Sequence, residues 1–423
     1  MKVSITKEKL LEGLHQVQNV VSTRTTLPIL SNVLFQANGK EIHLTTTDLD
    51  VGVRGSCEAE VDKAGATTLP ARRLFNIVRE LPSSEIQIDV DGKNTASIRS
   101  GQSFFKILGL PEDEFPPLPK FEDAKTVTIS QKALHDGLRK TSYAISTDET
   151  RYVLNGLLFS FKDNKLTLVA TDGRRLAMLD IELEFPRSHE TDIIVPTKAV
   201  TELQRLLTAE GEVKVSVGSG QIAFDLNKTL LVSKLIEGNY PNYRQVIPSE
   251  AKERVTLERE TFLNSLRRVS LLASDKSHSV KLNFSKNNLD ITATTPEVGE
   301  AKESLAVPYK GREFSIAFNP EFLMAPLRAL TEDEVFLDLI DEMSPGVLKI
   351  QTPFLYVLMP MRISACSSAS RTRSTSSFRK SPLRARMTRT FWFNGAQIAG
   401  SVGPKSKMHL APAAAARCEM PLS

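Results

Sequence analysis

The string in this chain that most invites a catalytic reading is Thr171-Asp172-Gly173-Arg174-Arg175, a glycine turn between an acid and two guanidinium groups. Such a loop could hold a phosphate. It lacks the GxxxxGKS spacing that wraps backbone N–H groups around one, and no GxGxxG opens a helix after a strand. No GxSxG elbow exposes a nucleophilic serine. Asp172 also has a counterpart: it follows Leu168-Val169-Ala170-Thr171 much as Asp48 follows Leu44-Thr45-Thr46-Thr47. A carboxylate that recurs in this way points to a shared turn, where it bonds nearby backbone N–H groups. Two catalytic centres are the less economical account. The three cysteines (Cys57, Cys366, Cys418) have no CxxC spacing and the six histidines no HExxH. Neither a disulfide framework, a thiolate zinc site nor a catalytic metal is indicated. The chain is read as a non-enzyme without metal or cofactor; the rival class is a nuclease or nucleotide hydrolase.

The other chemistry on offer is cationic. The formal charge of +4 divides unevenly: 10 of the 54 Lys+Arg and one of the 50 acids fall in 364–423, leaving 44 basic and 49 acidic residues in 1–363. A polyanionic partner would therefore have to meet a local basic surface. Stretches with helical spacing of apolar residues supply candidates at matching places: Lys7 and Lys9; Lys132, Arg139 and Lys140; Arg267 and Arg268; then Arg72, Arg73 and Arg79; Lys198 and Arg205; and Arg328. Any one of these alone reads best as part of a solvated helix face. Their recurrence in an acidic body favours phosphate contact, which binds without reading sequence and permits sliding.

The elements that must position these residues come in three copies. Val3-Ser4-Ile5 with Leu10 and Leu14, Val127-Thr128-Ile129 with Leu134 and Leu138, and Val255-Thr256-Leu257 with Phe262 and Leu266 each read as a short strand running into a helix. Leu27 to Phe35 corresponds to Arg151 to Phe159 and, more weakly, to Val280 to Phe284. A Thr-rich strand follows each, then a second helix starting near Ala71, Lys198 and Pro320. Asn38-Gly39 and Asp91-Gly92 between apolar runs are hairpin signals. The fold class is α+β: three tandem copies of a unit of two helices and an antiparallel sheet. The expected domains are 1–120, 126–248 and 253–363. The prolines of Pro111 to Pro119, which cannot continue a sheet ladder, mark the first linker, and Pro248 to Glu253 the second. Six such units from two chains could enclose a hole wide enough for a duplex, closed symmetry being the common solution for oligomers.

Five strings carry a resemblance: Thr26-Leu27-Pro28-Ile29-Leu30-Ser31-Asn32, Arg151-Tyr152-Val153-Leu154-Asn155-Gly156, Ala170-Thr171-Asp172-Gly173-Arg174-Arg175-Leu176-Ala177, Tyr240-Pro241-Asn242-Tyr243-Arg244 and Tyr356-Val357-Leu358-Met359-Pro360-Met361-Arg362. In this order the chain resembles the bacterial DNA polymerase III β subunit family, the processivity clamps, over residues 1–363. The resemblance implies a DNA sliding clamp: a head-to-tail homodimeric ring around duplex DNA, helices inside, that tethers polymerases. It also implies a pocket between the second and third domains that takes short linear motifs from the replicative polymerase, the clamp loader and repair proteins. By match, Leu154, Thr171, Gly173, Arg174, Arg175, Leu176, Pro241, Val246, Asn319, Phe322, Val357, Leu358, Met359, Pro360, Met361 and Arg362 would line it. Apolar walls with a flexible Met pair and a few polar groups suit peptide capture. Taken singly, Leu154, Leu176 and Val246 also read as plain core residues. Arg174 stands where the family pattern has His, Phe322 where it has Tyr and Gln245 where it has Arg, departures that bear on motif preference.

The same resemblance implies DNA contact through Arg24, Arg73, Tyr152, Lys198 and Arg205. It implies closure by Phe105 and Ile107 against Leu271 and Leu272, with Glu297, Glu300 and Glu303 facing Arg99 and Lys106. A three-domain scaffold of a repair complex, never threaded by DNA, is the alternative. Residues 364–423 are Ser/Arg-rich and then Ala-rich, a composition that predicts a disordered extension outside the clamp. A basic arm that adds DNA affinity and a frameshift or lost stop codon both fit it, and the abrupt break favours the second. The extension would leave beside the pocket wall and partly obstruct it. No apolar run approaches the ~20 residues that cross a bilayer, and Met1-Lys2-Val3-Ser4-Ile5 alternates like a strand, not like a signal segment. The expected place is the bacterial cytoplasm at the replication fork, with no membrane partner.

Overall fold

The computed structural model describes residues 1–21, 27–82, 85–119, 121, 124–273, 279–296, 298–351 and 353–361. The N-terminal copy contains β1 (Lys2–Thr6), α1 (Lys7–Val17), β2 (Asn32–Asn38), β3 (Glu41–Thr47), β4 (Val51–Glu58), β5 (Glu60–Lys63), β6 (Gly65–Pro70), α2 (Ala71–Glu80), β7 (Glu85–Val90), β8 (Thr95–Ser100) and β9 (Ser103–Leu108). The middle copy contains β10 (Lys125–Ser130), α3 (Gln131–Thr141), β11 (Gly156–Lys162), β12 (Lys165–Thr171), β13 (Arg175–Glu182), β14 (Thr191–Pro196), α4 (Thr197–Leu206), β15 (Glu212–Gly218), β16 (Gln221–Asp225) and β17 (Thr229–Lys234). The C-terminal copy contains β18 (Glu253–Glu258), α5 (Arg259–Ser270), β19 (Val280–Ser285), β20 (Asn288–Thr295), β21 (Gly299–Ala306), β22 (Phe314–Phe318), α6 (Pro320–Ala329), β23 (Glu334–Leu339), β24 (Gly346–Lys349) and β25 (Phe354–Leu358).

Each copy builds two antiparallel half-sheets. The leading half-sheets run β1-β7-β8-β9, β10-β15-β16-β17 and β18-β23-β24-β25, with β5 added outside β1. The trailing half-sheets run β6-β2-β3-β4, β14-β11-β12-β13 and β22-β19-β20-β21. Successive copies are joined edge to edge: β4 pairs with β17 from Gly55↔Thr229 to Val51↔Ser233, and β13 with β25 from Arg175↔Leu358 to Leu179↔Phe354. Each joint thus fuses two half-sheets into an eight-stranded sheet. Of the half-sheet ends equivalent to β4, β13, β17 and β25, β9 and β21 alone among the described residues pair with no other domain; β5, β6, β10, β14, β18 and β22 are the other sheet ends.

The helices lie against these sheets because their apolar residues share one face. Leu10, Leu14 and Val17 of α1, Leu134 and Leu138 of α3, and Phe262, Leu266 and Val269 of α5 are all buried. Equivalent positions keep the backbone-to-sheet distance short. A Cβ on Gly13 would sit 2.2 Å from Cys57 Sγ, and one on Gly137 2.7 Å from Leu168 Cδ1. The third copy holds the small, fully buried Ser265 at this position.

Both hairpins expected from the sequence are present, but only one turns on its glycine. Gly39 takes φ 62° between β2 and β3. Between β7 and β8 the left-handed residue is Asn94 (φ 58°), and Asp91 Oδ1 accepts from the N–H groups of Lys93 (2.8 Å) and Thr95 (2.9 Å). The first linker packs back on its own domain: Phe115 is buried with Ile29 and Leu30.

Gly13→Val should lower unfolding stability by about 1–3 kcal/mol through overpacking. Urea denaturation checks this, with Gly39→Ala as a comparison whose Cβ meets nothing within 4 Å but whose φ is strained.

Candidate functional site

The loop Asp172–Arg174 between β12 and β13 is a carboxylate-held turn and not a phosphate cradle. Asp172 Oδ1 accepts from Arg174 N (2.9 Å) and Arg175 N (3.0 Å), and Gly173 takes φ 81°. Asp48 does the same for Asp50 N (3.0 Å) and Val51 N (2.7 Å). The shared turn role read from the sequence is what the geometry shows.

At the second joint this turn meets the exit of β25. Met359 N donates to Arg174 O at 3.0 Å, and Met361 N to Ala317 O at 2.7 Å. Arg175 is held by Asp172 Oδ2 at 3.1 Å, and its guanidinium lies 4.7 Å from the centroid of the Phe322 ring and 5.9 Å from that of Tyr143. Tyr143 stacks at a tilt on Tyr356, whose hydroxyl donates to Phe322 O at 2.8 Å. Of the residues matched from sequence, Leu154, Thr171, Leu176, Val357 and Leu358 are buried. Gly173, Arg174, Arg175, Pro241, Val246, Asn319, Phe322, Met359, Pro360 and Met361 all reach the surface, Val246 included. Asn319 is also the cap of α6, its Oδ1 accepting from Glu321 N at 2.9 Å. Arg362 lies outside the described residues. The Tyr143–Arg175–Phe322 stack was not expected as a unit, since Tyr143 lies outside the motif strings.

The cations assigned to phosphate contact divide into two groups. Arg73 and Lys132 are exposed on α2 and α3. Lys198 and Arg205, in contrast, bridge α4 to the first copy. Lys198 Nζ pairs with Asp48 and donates to Val20 O at 3.1 Å; Arg205 donates to the carbonyls of His15 (3.2 Å) and Gln16 (2.5 Å) at the end of α1. Those carbonyls are unsatisfied within the helix and carry the negative end of its dipole. Lys140 is buried between Asp136 and Glu332 and faces no solvent groove. Tyr152 is exposed, and Arg24 lies outside the described residues.

At the free edges Phe105 is 39% and Leu271 81% exposed, and Leu272 is half-buried. Ile107 differs from Phe105 in exposure. It is buried in its own domain, because strand alternation turns it toward the core opposite Ala96. Phe104 (55%) and Leu108 (76%) are the exposed apolar residues that the sequence reading missed. Their alternation with Ile107 was the available signal. Glu303 already receives Arg268 NH2 at 2.7 Å, Glu300 is exposed, and Glu297 lies outside the described residues. Arg99 sits over the Phe104 ring, 5.5 Å from its centroid.

No described helix is long and apolar enough to cross a membrane, and no group of three metal-ligating side chains occurs among the described residues. Sequence models of the DNA polymerase III beta subunit match end to end: its N-terminal domain at 1–119, central domain at 128–242 and C-terminal domain at 244–362. The beta sliding clamp of Chlamydia muridarum is 37% identical over 363 residues, covering 86% of this chain and 99% of the relative. This chain belongs to the DNA polymerase III beta subunit family. The beta sliding clamp of Proteus mirabilis is 36% identical over 371 residues, covering 86% of this chain and all of that relative. A Pseudomonas aeruginosa DnaN sliding clamp bound to griselimycin superposes with a TM-score of 0.83 at 34% identity, covering 86% of this chain and 100% of that one. The Bacillus subtilis sliding clamp gives 0.82 at 29% identity, covering 86% and 99%. The protein is thus a DNA sliding clamp of the three-domain kind, a processivity factor without catalysis of its own. Residues 363–423 fall beyond the last family domain and outside the described residues.

The first joint of the clamp should respond to acid. Burial pushes the Asp48 carboxyl up, but bonds from Lys198 and the N–H groups of Val51 and Asp50 outweigh it and hold it below the ordinary 3.8. A depressed acid contributes stability that is full above 3.8 and lost as pH falls through its folded value. Hydrogen exchange should show protection at Asp50 and Val51 falling in that acid range, and Asp48→Asn should remove the pH dependence.

Proposed function

We propose that two copies of this clamp close head to tail around duplex DNA and hold polymerases there. The supporting observation is the rule of edges: in both internal joints the trailing edge of one domain pairs with the leading edge of the next. One leading edge, β9, and one trailing edge, β21, are left over. Pairing β21 of one copy with β9 of another continues the rule and covers these two edges, which are otherwise templates for unwanted association. Phe104, Phe105 and Leu108, with Leu271 and Leu272, supply the apolar contact, and Glu300 and Arg99 the rim. Rim ion pairs contribute little each.

Contact with DNA goes through phosphates, by the exposed Arg73, and by Tyr152 against the backbone or a base, while Lys198 and Arg205 hold the first joint. The partners are the replicative polymerase, the clamp loader and repair proteins, bound by short linear motifs at the second joint between Met359–Met361, Pro241 and Phe322. The place of action is the bacterial cytoplasm. Native mass together with retention on nicked circular DNA, and loss after linearisation, tests the ring; a monomer, or equal loss from both DNA forms, overturns it.

Leu271→Lys combined with Phe105→Ala should raise the dimer dissociation constant at least about a hundredfold, read by analytical ultracentrifugation. Phe322→Ala should weaken a labelled polymerase motif peptide about tenfold in fluorescence anisotropy. Truncation after Ile363 should strengthen the same peptide's binding if the extension obstructs the pocket; unchanged affinity rejects obstruction.

A further inference from the structure

The internal repeat builds the second-joint site twice. At the first joint Thr47 Oγ1 accepts from Leu49 N (3.0 Å) and donates to Val51 O (3.1 Å), as Thr171 Oγ1 accepts from Gly173 N (3.1 Å) and donates to Arg175 O (2.7 Å). Lys234 N donates to Asp50 O at 2.8 Å where Met359 N donates to Arg174 O. Phe115-Pro116 stands where the second joint has Tyr240-Pro241. The backbone frame of the motif pocket is therefore present between the first and second domains, with other side chains on it.

That frame is only partly filled. Phe115 covers Ile29 and Leu30, and Leu118 occupies the space where a side chain on Gly52 would lie. A cleft of about 520 Å³ remains, walled by Leu27, Pro28, Leu49, Leu110, Glu114 and Pro116. A second cavity of about 250 Å³ shares Leu49 and Pro116 with it. Leu49 is the informative residue. It takes φ 78° where the second joint has Gly173 at 81°, a conformation that L side chains avoid. Yet it is a leucine, and it is 46% exposed over the cleft. An apolar side chain held outward on a strained backbone is the kind of outlier that marks a binding position.

The charge of the rim is reversed between the two sites. The second joint presents Arg174, with Arg175 neutralised by Asp172 at 3.1 Å. The first presents Asp50, neutralised by Lys234 at 3.0 Å, and Glu114, which has no ion-pair partner among the described residues and continues the exposed run Glu112-Asp113. Opposite rims select opposite partners.

We infer that the cleft at Leu49 is a second peptide site, for a short extended segment of a partner protein with two bulky apolar side chains beside a Lys or Arg. The apolar side chains pack on Leu49, Pro28 and Leu110, and the cation meets Glu114. This rests on the reading of the second joint as a motif pocket, since that is the precedent for what such a frame binds. Two such sites let one clamp hold two motifs of opposite charge at once.

The test is an array of fluorescent hexapeptides carrying two of Leu, Ile, Phe or Met next to Arg or Lys, with twins bearing Glu instead, titrated against the full chain. Basic peptides should bind, weaken about tenfold with Leu49→Asp and stay within about twofold with Phe322→Ala. Glu114→Lys should move preference about fivefold toward the acidic twins. Leu49→Gly should raise the melting temperature while losing the peptide, which separates lost binding from lost folding. The inference is overturned if no basic peptide distinguishes the full chain from Leu49→Asp, or if those that bind are lost through Phe322→Ala. Failure of the second-joint reading looks different: a polymerase motif peptide would ignore Phe322→Ala whatever happens at Leu49.

Discussion

Everything in this molecule hangs on the pairing of strand edges between domains. A half-sheet of four strands ends in a row of backbone N–H and C=O groups that need partners. Placing the edge of one domain against that of the next satisfies both rows at once. The joints are therefore rigid continuations of sheet and not flexible linkers, and the turns beside them are held at fixed positions. Asp48 and Asp172 can set their loops against β17 and β25 only because those strands are locked in register. The smaller cavity at the first joint follows from the same arrangement, since it is framed by the turn at Leu49 and by Val232 and Lys234 of the neighbouring domain.

Much of this was legible in the sequence because repetition is a long-range signal that needs no knowledge of contacts. The three strand-helix openings and the three Thr-rich strands appear in the structure as β1-α1, β10-α3 and β18-α5, and as β3, β12 and β20. The turn role of the paired aspartates was visible for the same reason. What could not be seen was direction. Lys198 and Arg205 look like two cations on an amphipathic helix, and only the approach of α1 gives them carbonyls to bond. Ile107 looks like half of an apolar pair with Phe105 until β8 places Ala96 opposite it. Leu49 gave no sign at all, because a left-handed leucine is invisible in a string of letters.

The repeat also shows how one scaffold is put to different uses. Glycine at positions 13 and 137 and serine at 265 serve one purpose, a short helix-to-sheet distance, and hardly vary in size. The positions after the Thr-rich strands differ in chemistry: leucine and aspartate at 49 and 50, against glycine and arginine at 173 and 174. Packing constrains the first set from both sides, whereas the second set projects from a turn whose backbone is held by a threonine and an aspartate. Chemistry can therefore change at the joints without disturbing the fold.

The unmatched edges β9 and β21 carry a consequence about geometry. A contact that joins unlike surfaces has no built-in stopping number: it closes when the turn per joint divides a full circle and otherwise winds into an open filament. Nothing in the edges themselves counts to two. The number of copies must be written in the bend at each joint, in how far the sheet twists across β4–β17 and β13–β25 and how closely the helices beneath are drawn together. A residue buried at an internal joint, far from any second copy, thus has a say in whether the assembly is a circle or a coil.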